Sequence, residues 1–281
     1  MIESVIVDNF ETIISAPSGV KQIRRLVLEL AVRGRLVPQD SSAESAGQLL
    51  EQLPSARDEM VKARVIARPR IPKQSSLESV SFEIPDSWIW ARLCDVGFIV
   101  GGSTPRSSES SFWADGDAIP WLTPADMRDQ RSRFIRKGAR DITEAGLAAS
   151  SAQLLPAGTV LFSSRAPIGH VGIAAVPLCT NQGFKSCVPY EMRMSEYIYT
   201  YLRYAGPGVD AAATGTTFKE VSGKEVSAIP IAVPPLEEQD RIVKKVDLLM
   251  DQINELEAML AERAELSDRI GFSSVATLLG Q

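Results

Sequence analysis

Histidine is almost absent from this sequence: His170 is the single one among 281 residues. A metal site built on paired imidazoles is therefore excluded, and His170 itself, in RAPIGHVGIAAV, reads as a histidine at the start of a strand. Cysteine is scarce as well. Cys94, Cys179 and Cys187 are odd in number and form no CxxC spacing, which argues against a disulfide framework or a zinc site and for reduced thiols in a cytosolic protein. No apolar run approaches the ~20 residues that a membrane-spanning helix needs. The opening MIESVIVDNFE holds acids where a signal peptide would hold bases, so no secretory leader is expected. Glycine patterns of enzymes are missing too: no GxGxxG follows a strand, and no GxSxG elbow occurs. SGKE, from Ser222 to Glu225, copies the end of a phosphate loop, but Phe218 stands where its first glycine belongs and Glu225 where a hydroxyl belongs. The sequence offers no catalytic residues, no metal ligands and no cofactor, and it reads as non-catalytic.

What is present is helical periodicity at both ends. From Pro234 two prolines stop the preceding segment, and Ile242, Val246, Leu249, Ile253, Leu256 and Leu260 then fall at successive seam positions of three heptads. A repeat of 3.5 residues keeps one seam against a partner helix along its length. The predicted helix is about 35 residues, roughly 50 Å long. A second, shorter zipper-like helix is predicted from Ser18 to Val37 on Val20, Ile23, Val27, Leu30 and Val37, with Ser18 as N-cap and Gly34 and Pro38 at its end. Two short helices follow, one on Leu49, Leu50 and Leu53 and one opened by Pro54, and then the proline-spaced basic linker ARPRIPK.

Between the linker and the final helix, the runs WIWARL, VGFIV, AIPWL, GTVLFS, VGIAAV and SAIPIAV read as short strands separated by Gly, Pro, Ser and Asp. Helical stretches at Thr143–Ser150 and Ser195–Tyr204 interrupt them. The pattern is α+β. Charge is divided unevenly: residues 85–233 hold equal numbers of acids and bases, whereas residues 234–281 hold 5 bases and 10 acids, which accounts for the whole net charge of −5. Overall acidity thus says nothing against nucleic-acid binding by the middle of the chain.

Local charge points toward it. Arg128, Arg131, Arg133, Arg136, Lys137 and Arg140 crowd into 13 residues. GGSTPRSS carries Thr104 and Arg106, FSSRAPIG carries Ser163, Ser164 and Arg165, and TGTTFKEVSGKE carries Thr216, Thr217 and Lys219. Hydroxyls, amides and cations at loop tips position phosphates, while Arg, Asn and Gln read base edges. Asn181 and Gln182 in TNQGFKS fit either base reading or the capping of a tight turn.

Taken together and in order, these pieces resemble the specificity subunit of type I restriction–modification systems. The resemblance rests on LVLELAVRGRLVPQD with SAGQLLEQL, EIPDSWIWARLCDV, GGSTPRSS with FWADGDAIPWLTPADM, SSRAPIGHVGIA, TNQGF, GTTFKEVS, IPIAVPPLEEQDRIV and the heptad helix, and it spans about Ile23 to Leu260. It implies an N-terminal helical region and linker over 1–73, a mixed α/β target-recognition domain that binds double-stranded DNA over 74–233, a conserved coiled-coil helix over 234–271, and a tail over 272–281. It also implies partners: an adenine methyltransferase and an ATP-dependent translocating nuclease, with the chain itself non-catalytic and cytoplasmic. Members of the family typically carry two recognition domains, so the chain resembles a half-length form, and two copies are expected to pair through Ile242, Val246, Leu249, Ile253, Leu256 and Leu260. The expected DNA contacts are Arg128, Arg131, Arg133, Lys137, Arg165 and Lys219, followed by Thr104, Arg106, Thr216 and Thr217. The alternative is a coiled-coil scaffold whose globular domain binds protein. A self-contained methyltransferase would need a cofactor glycine loop and an Asp/Asn-Pro-Pro-aromatic signature, which the sequence lacks.

Overall fold

Val20, Ile23, Val27 and Leu30 recur every three or four residues, and the segment they mark folds as helix α1 (Gly19–Val32), with Ile23 and Val27 buried. The computed structural model describes residues 18–40, 45–68, 82–114, 116, 118–128, 132–165, 167–213 and 219–278, with side chains of the last helix described through residue 263. Ser18, expected as N-cap, takes a left-handed conformation and makes no side-chain cap. Gly34 does end the helix: at φ +66° it adopts the left-handed turn that suits glycine, while Arg35 N–H reaches back to the Leu30 carbonyl at 2.9 Å. A side chain there would also strike Pro85.

The next stretch is one helix rather than two, α2 (Ala46–Lys62). Ser45 and Gln48 close a capping box at its start, and Pro54 is accommodated inside it on an exposed face. The basic linker falls largely outside the described residues.

All six predicted strands form. The central domain opens with β1 (Ile89–Arg92), the single turn α3 (Leu93–Val96) and β2 (Gly97–Gly101). It continues through β3 (Trp113–Ala114), β4 (Ile119–Leu122), β5 (Phe134–Ile135), β6 (Arg140–Ile142) and α4 (Glu144–Ala148). Then come β7 (Val160–Phe162), β8 (Val171–Ala174), β9 (Cys179–Thr180), β10 (Lys185–Pro189), α5 (Ser195–Ala212), α6 (Gly223–Ser227) and β11 (Pro230–Val233). A five-stranded sheet has the order β2-β10-β7-β8-β5, and a four-stranded sheet the order β3-β6-β4-β9. The α+β class is as expected. Helix α5 covers the larger sheet with Tyr197, Ile198 and Leu202 fully buried. The smaller sheet has its own cluster of Trp121, Ile142, Ala152 and Cys179.

β1 and β11 pair antiparallel, Ile89 opposite Val233 and Arg92 opposite Pro230. The chain therefore enters and leaves the central domain through one ribbon, and Pro234-Pro235 turn it directly into α7 (Leu236–Leu278). This helix has 43 residues and runs to Leu278, well into the segment expected as a tail. At 1.5 Å per residue it is about 64 Å long.

Its seam has a partner inside the chain. Ile242, Val246 and Ile253 are buried in the same core as Ile23, Val27 and Ala31 of α1. Arg24 donates to Asn254 and Glu257 at 2.7 Å, while Gln39, past the end of α1, donates to buried Glu238 at 2.6 Å. The two helices therefore run antiparallel. Burial pushes the Glu238 carboxyl above its usual range, against the Gln39 hydrogen bond. Leu249, Leu256 and Leu260 are half-buried, and Leu248 and Met259 are 52% and 60% exposed. No described helix is long and apolar enough to cross a membrane.

Candidate nucleic-acid interface

Gly102 lets the β2 loop lie flat against the strand end at Thr180 and Asn181, because any side chain on it would collide with both of their carbonyl oxygens. Ser103 N–H donates to the Thr180 carbonyl at 2.9 Å, and Trp121 Nε1 donates to the Ser103 carbonyl at 2.9 Å. So anchored, Thr104 Oγ1 donates to Gln182 Oε1 at 2.5 Å. Asn181 is spent on its own turn: its Oδ1 accepts from Gly183 N–H at 2.8 Å. Of the two candidate readers, Asn181 takes the capping role, and Gln182 stays exposed with its amide oriented by Thr104.

Around Gln182 the fold gathers three further segments. Thr123 and Asp126 close a capping box on the 3-10 turn Pro124–Met127, which presents Arg128. After β7, Arg165 forms an isolated bridge with Glu220, and its Nη2 donates to the Glu220 carboxylate at 3.0 Å. Lys185, from β10, lies 3.6 Å from the same carboxylate and donates to the Gln182 carbonyl at 3.3 Å. The Arg165 guanidinium holds the Glu220 carboxyl below its usual range. Arg128, Arg165, Asn181, Gln182, Thr123 and Pro124 line a cleft of about 280 Å³. The arrangement combines cations, an oriented amide and an open cleft, groups of the kind that meet phosphates and base edges.

The remaining expected contacts sort unevenly. Arg106 is exposed on the β2 loop, its carbonyl accepting from Trp113 Nε1 at 3.3 Å. Lys137 is exposed just before Ala139, whose N–H is held by Asp126. Lys219 is exposed beside Glu220, at 3.5 Å from the Asp210 carbonyl. Arg131, Thr216 and Thr217 lie outside the described residues.

Arg133 does not join the cleft. It donates to Glu196 at 2.9 Å and to Asp247 at 2.6 Å, tying the β5 edge to α5 and α7, and it is withdrawn from the DNA contacts on that ground. Ser163 and Ser164 are buried. Ser163 Oγ donates to the Pro167 carbonyl at 2.7 Å and Ser164 Oγ to the Gly183 carbonyl at 3.2 Å, so these hydroxyls fasten the loop and do not face a phosphate. Lys185 was missed from sequence, although TNQGFKS contains it; its neighbours in space come from β2 and the segment before α6. His170 donates its backbone N–H to Ser163 Oγ at 2.8 Å, as a strand-start residue would. Among the described residues no group of three or more His, Cys, Asp or Glu side chains is placed to hold a metal ion.

Comparison with known proteins gives consistent results. The family described as the type I restriction modification DNA specificity domain matches residues 85–266. The type I restriction enzyme MjaIX specificity subunit of Methanocaldococcus jannaschii is 37% identical over 174 residues, 61% of this chain and 40% of that protein. The EcoAI specificity subunit of Escherichia coli is 27% identical over 307 aligned positions, 99% of this chain and 50% of the relative. Among solved structures, the HsdS subunit of Thermoanaerobacter tengcongensis shares the fold, with a TM-score of 0.50 at 23% identity over 86% of this chain and 51% of its own. A chain from a study of assembly and conformational transition in the type I R-M system gives a TM-score of 0.55 at 24% identity, over 94% of this chain and 55% of its own. The chain spans half or less of the length of these two curated relatives.

Proposed function

Because this chain belongs to the type I restriction–modification DNA specificity family, we propose that it selects the DNA sequence on which catalytic partners act. In this reading it carries no catalysis of its own. It reads double-stranded DNA with the central domain and presents it to an adenine methyltransferase and an ATP-dependent translocating nuclease, in the cytoplasm. The relatives' names as specificity subunits support the role. The observation that carries it is the convergence of Arg128, Arg165 and Gln182, from separate loops, on one open cleft, with Thr104 and Lys185 hydrogen-bonded to Gln182 beside it. Arg106, Lys137 and Lys219, exposed on the same domain, are proposed as further contacts, as are Arg131, Thr216 and Thr217, which lie outside the described residues.

Self-association belongs to the same reading. The seam from Ile242 to Ile253 is filled by α1, whose Arg24 also reaches Asn254 and Glu257, but α7 continues for 25 residues beyond Ile253, with Leu256 and Leu260 at seam positions. This stretch is the proposed contact with a second copy, whose two-fold symmetry would set two recognition domains on an inverted repeat.

Mapping methylated adenines in a genome, with and without this chain, tests the function. The expected outcome is a short motif that is methylated only when the chain is present. Methylation at identical sites in both cases would overturn the reading.

A further inference from the structure

At the edge of the cleft an acid sits where a DNA-facing surface should avoid one. Glu220 is fixed there by backbone as well as by charge. Its residue bridges Arg165, and the next N–H, from Val221, donates to the Ser164 carbonyl at 2.9 Å. The carboxylate accepts from Arg165 Nη2 at 3.0 Å and lies 3.6 Å from Lys185 Nζ. It is 38% exposed and Arg165 44% exposed, so both reach solvent, with Arg165 in the lining of the cleft. A guanidinium has five N–H donors in a rigid fork, and an engagement through Nη2 leaves the rest of the fork for the cleft that Arg165 lines.

The pair has a chemical preference that a lone arginine lacks. A phosphate placed on Arg165 would bring its negative charge against the Glu220 carboxylate. A base edge is neutral and meets no such repulsion. The neutral acceptor pair that matches a guanidinium fork is O6 and N7 of guanine in the major groove.

Resting on the DNA-recognition reading above, we infer that Arg165 and Glu220 form a base-reading pair, in which Glu220 orients Arg165 toward a guanine and disfavours its capture by phosphate. Glu220 is the positioning residue, and Arg165 makes the contact. Lys185, held by the same carboxylate and by the Gln182 carbonyl, is restrained in the same way.

The test uses the full chain and a pool of duplexes with a randomised central region, with bound DNA sequenced after selection. Wild type, Arg165→Ala, Glu220→Gln and Glu83→Gln are compared. Glu83 is exposed on the segment leading into β1 and controls for the loss of one negative charge. The inference expects wild type and Glu83→Gln to select the same motif, and Arg165→Ala and Glu220→Gln to lose preference at the same G·C position. Glu220→Gln should also bind unselected duplex several-fold more tightly, with the slope of log K against log salt steeper by about one. If Arg165→Ala keeps the full motif while its salt slope becomes shallower by about one, Arg165 is a phosphate contact and the inference is overturned. It is likewise overturned if Glu220→Gln behaves as Glu83→Gln does. A wild-type chain that selects no motif, alone or with a methyltransferase partner, would instead overturn the DNA-recognition reading itself.

Discussion

Arg133 joins three elements through one guanidinium, which bridges two carboxylates and lies 5.7 Å from the ring centres of both Phe134 and Tyr199. Replacing it with alanine removes charge-assisted hydrogen bonds at a partly buried site. The expected cost is about 1–2 kcal/mol of folding stability, read by chemical denaturation, while the salt slope of DNA binding should stay at its wild-type value. A flattened slope would return Arg133 to the interface. Nothing in the run from Arg128 to Arg140 separates Arg133 from Arg128, because what sorts them is partners on α5 and α7, far along the chain. Thr104 and Gln182 were legible as residue types but not as a pair, for the same reason. The thiols allow a second test. Burial, with Asp95 beside it, pushes Cys94 up to about 11, and burial pushes Cys179 up to about 12. A group whose folded pKa is raised contributes stability that is complete below its unfolded value, near 8.5–9, and is lost as pH rises through the folded value. Stability should therefore fall between pH 9 and 11. Cys94→Ser should make that decline shallower than in wild type, as measured by urea titration at each pH.

Along α7 the heptad pattern is uniform, yet its environment is not. Ile242 and Val246 are buried at 0% and 2% exposure within the chain's own core, whereas Leu260 lies beyond the last pairing with α1 and is half-buried. Ile242→Ala should cost about 2–5 kcal/mol of stability, as large-to-small changes in a packed core do. Leu260→Ala should cost under about 1 kcal/mol in the isolated chain and weaken the proposed self-association, measured by sedimentation. Comparable losses of stability for the two variants would mean that the outer seam is also filled from within. The period of the helix was readable from sequence; its division into an inner and an outer half was not, because periodicity names a face without naming what covers it. Strand β10 was missed for a different physical reason. FKSCVP lacks the β-branched run that marks a strand, and yet it lies between β2 and β7, where small Ser186 and Cys187 fit. Gly97 leaves the room: a side chain there would strike Cys187 Sγ. Pro54 misled in the opposite direction, since an exposed proline inside α2 does not end a helix that is well capped at Ser45.

For the whole molecule, the self-association proposed above makes one quantity decisive: the distance at which α7 would hold one recognition domain from another. The ribbon of β1 and β11, the prolines after it and the Arg133 bridge to Asp247 fix the domain to the start of the helix. In the proposed pair of antiparallel copies, the outer stretch past Ile253 would act as a spacer. A helix rises 1.5 Å per residue, so deleting the seven residues 258–264 shortens it by about 10 Å while keeping the heptad phase. B-form DNA advances about 34 Å per turn of 10–10.5 base pairs, so the preferred gap between half-sites should shrink by about 3 base pairs. Deleting four residues instead would rotate the seam out of register, and should weaken pairing rather than move the gap. Binding to duplexes carrying the same half-sites at gaps varied one base pair at a time separates the outcomes. A preference that moves by about three base pairs after the seven-residue deletion supports a ruler. A preference that stays in place, with half-site recognition intact, would mean that the spacing is set by a partner subunit and that the outer half of α7 serves only as a docking surface.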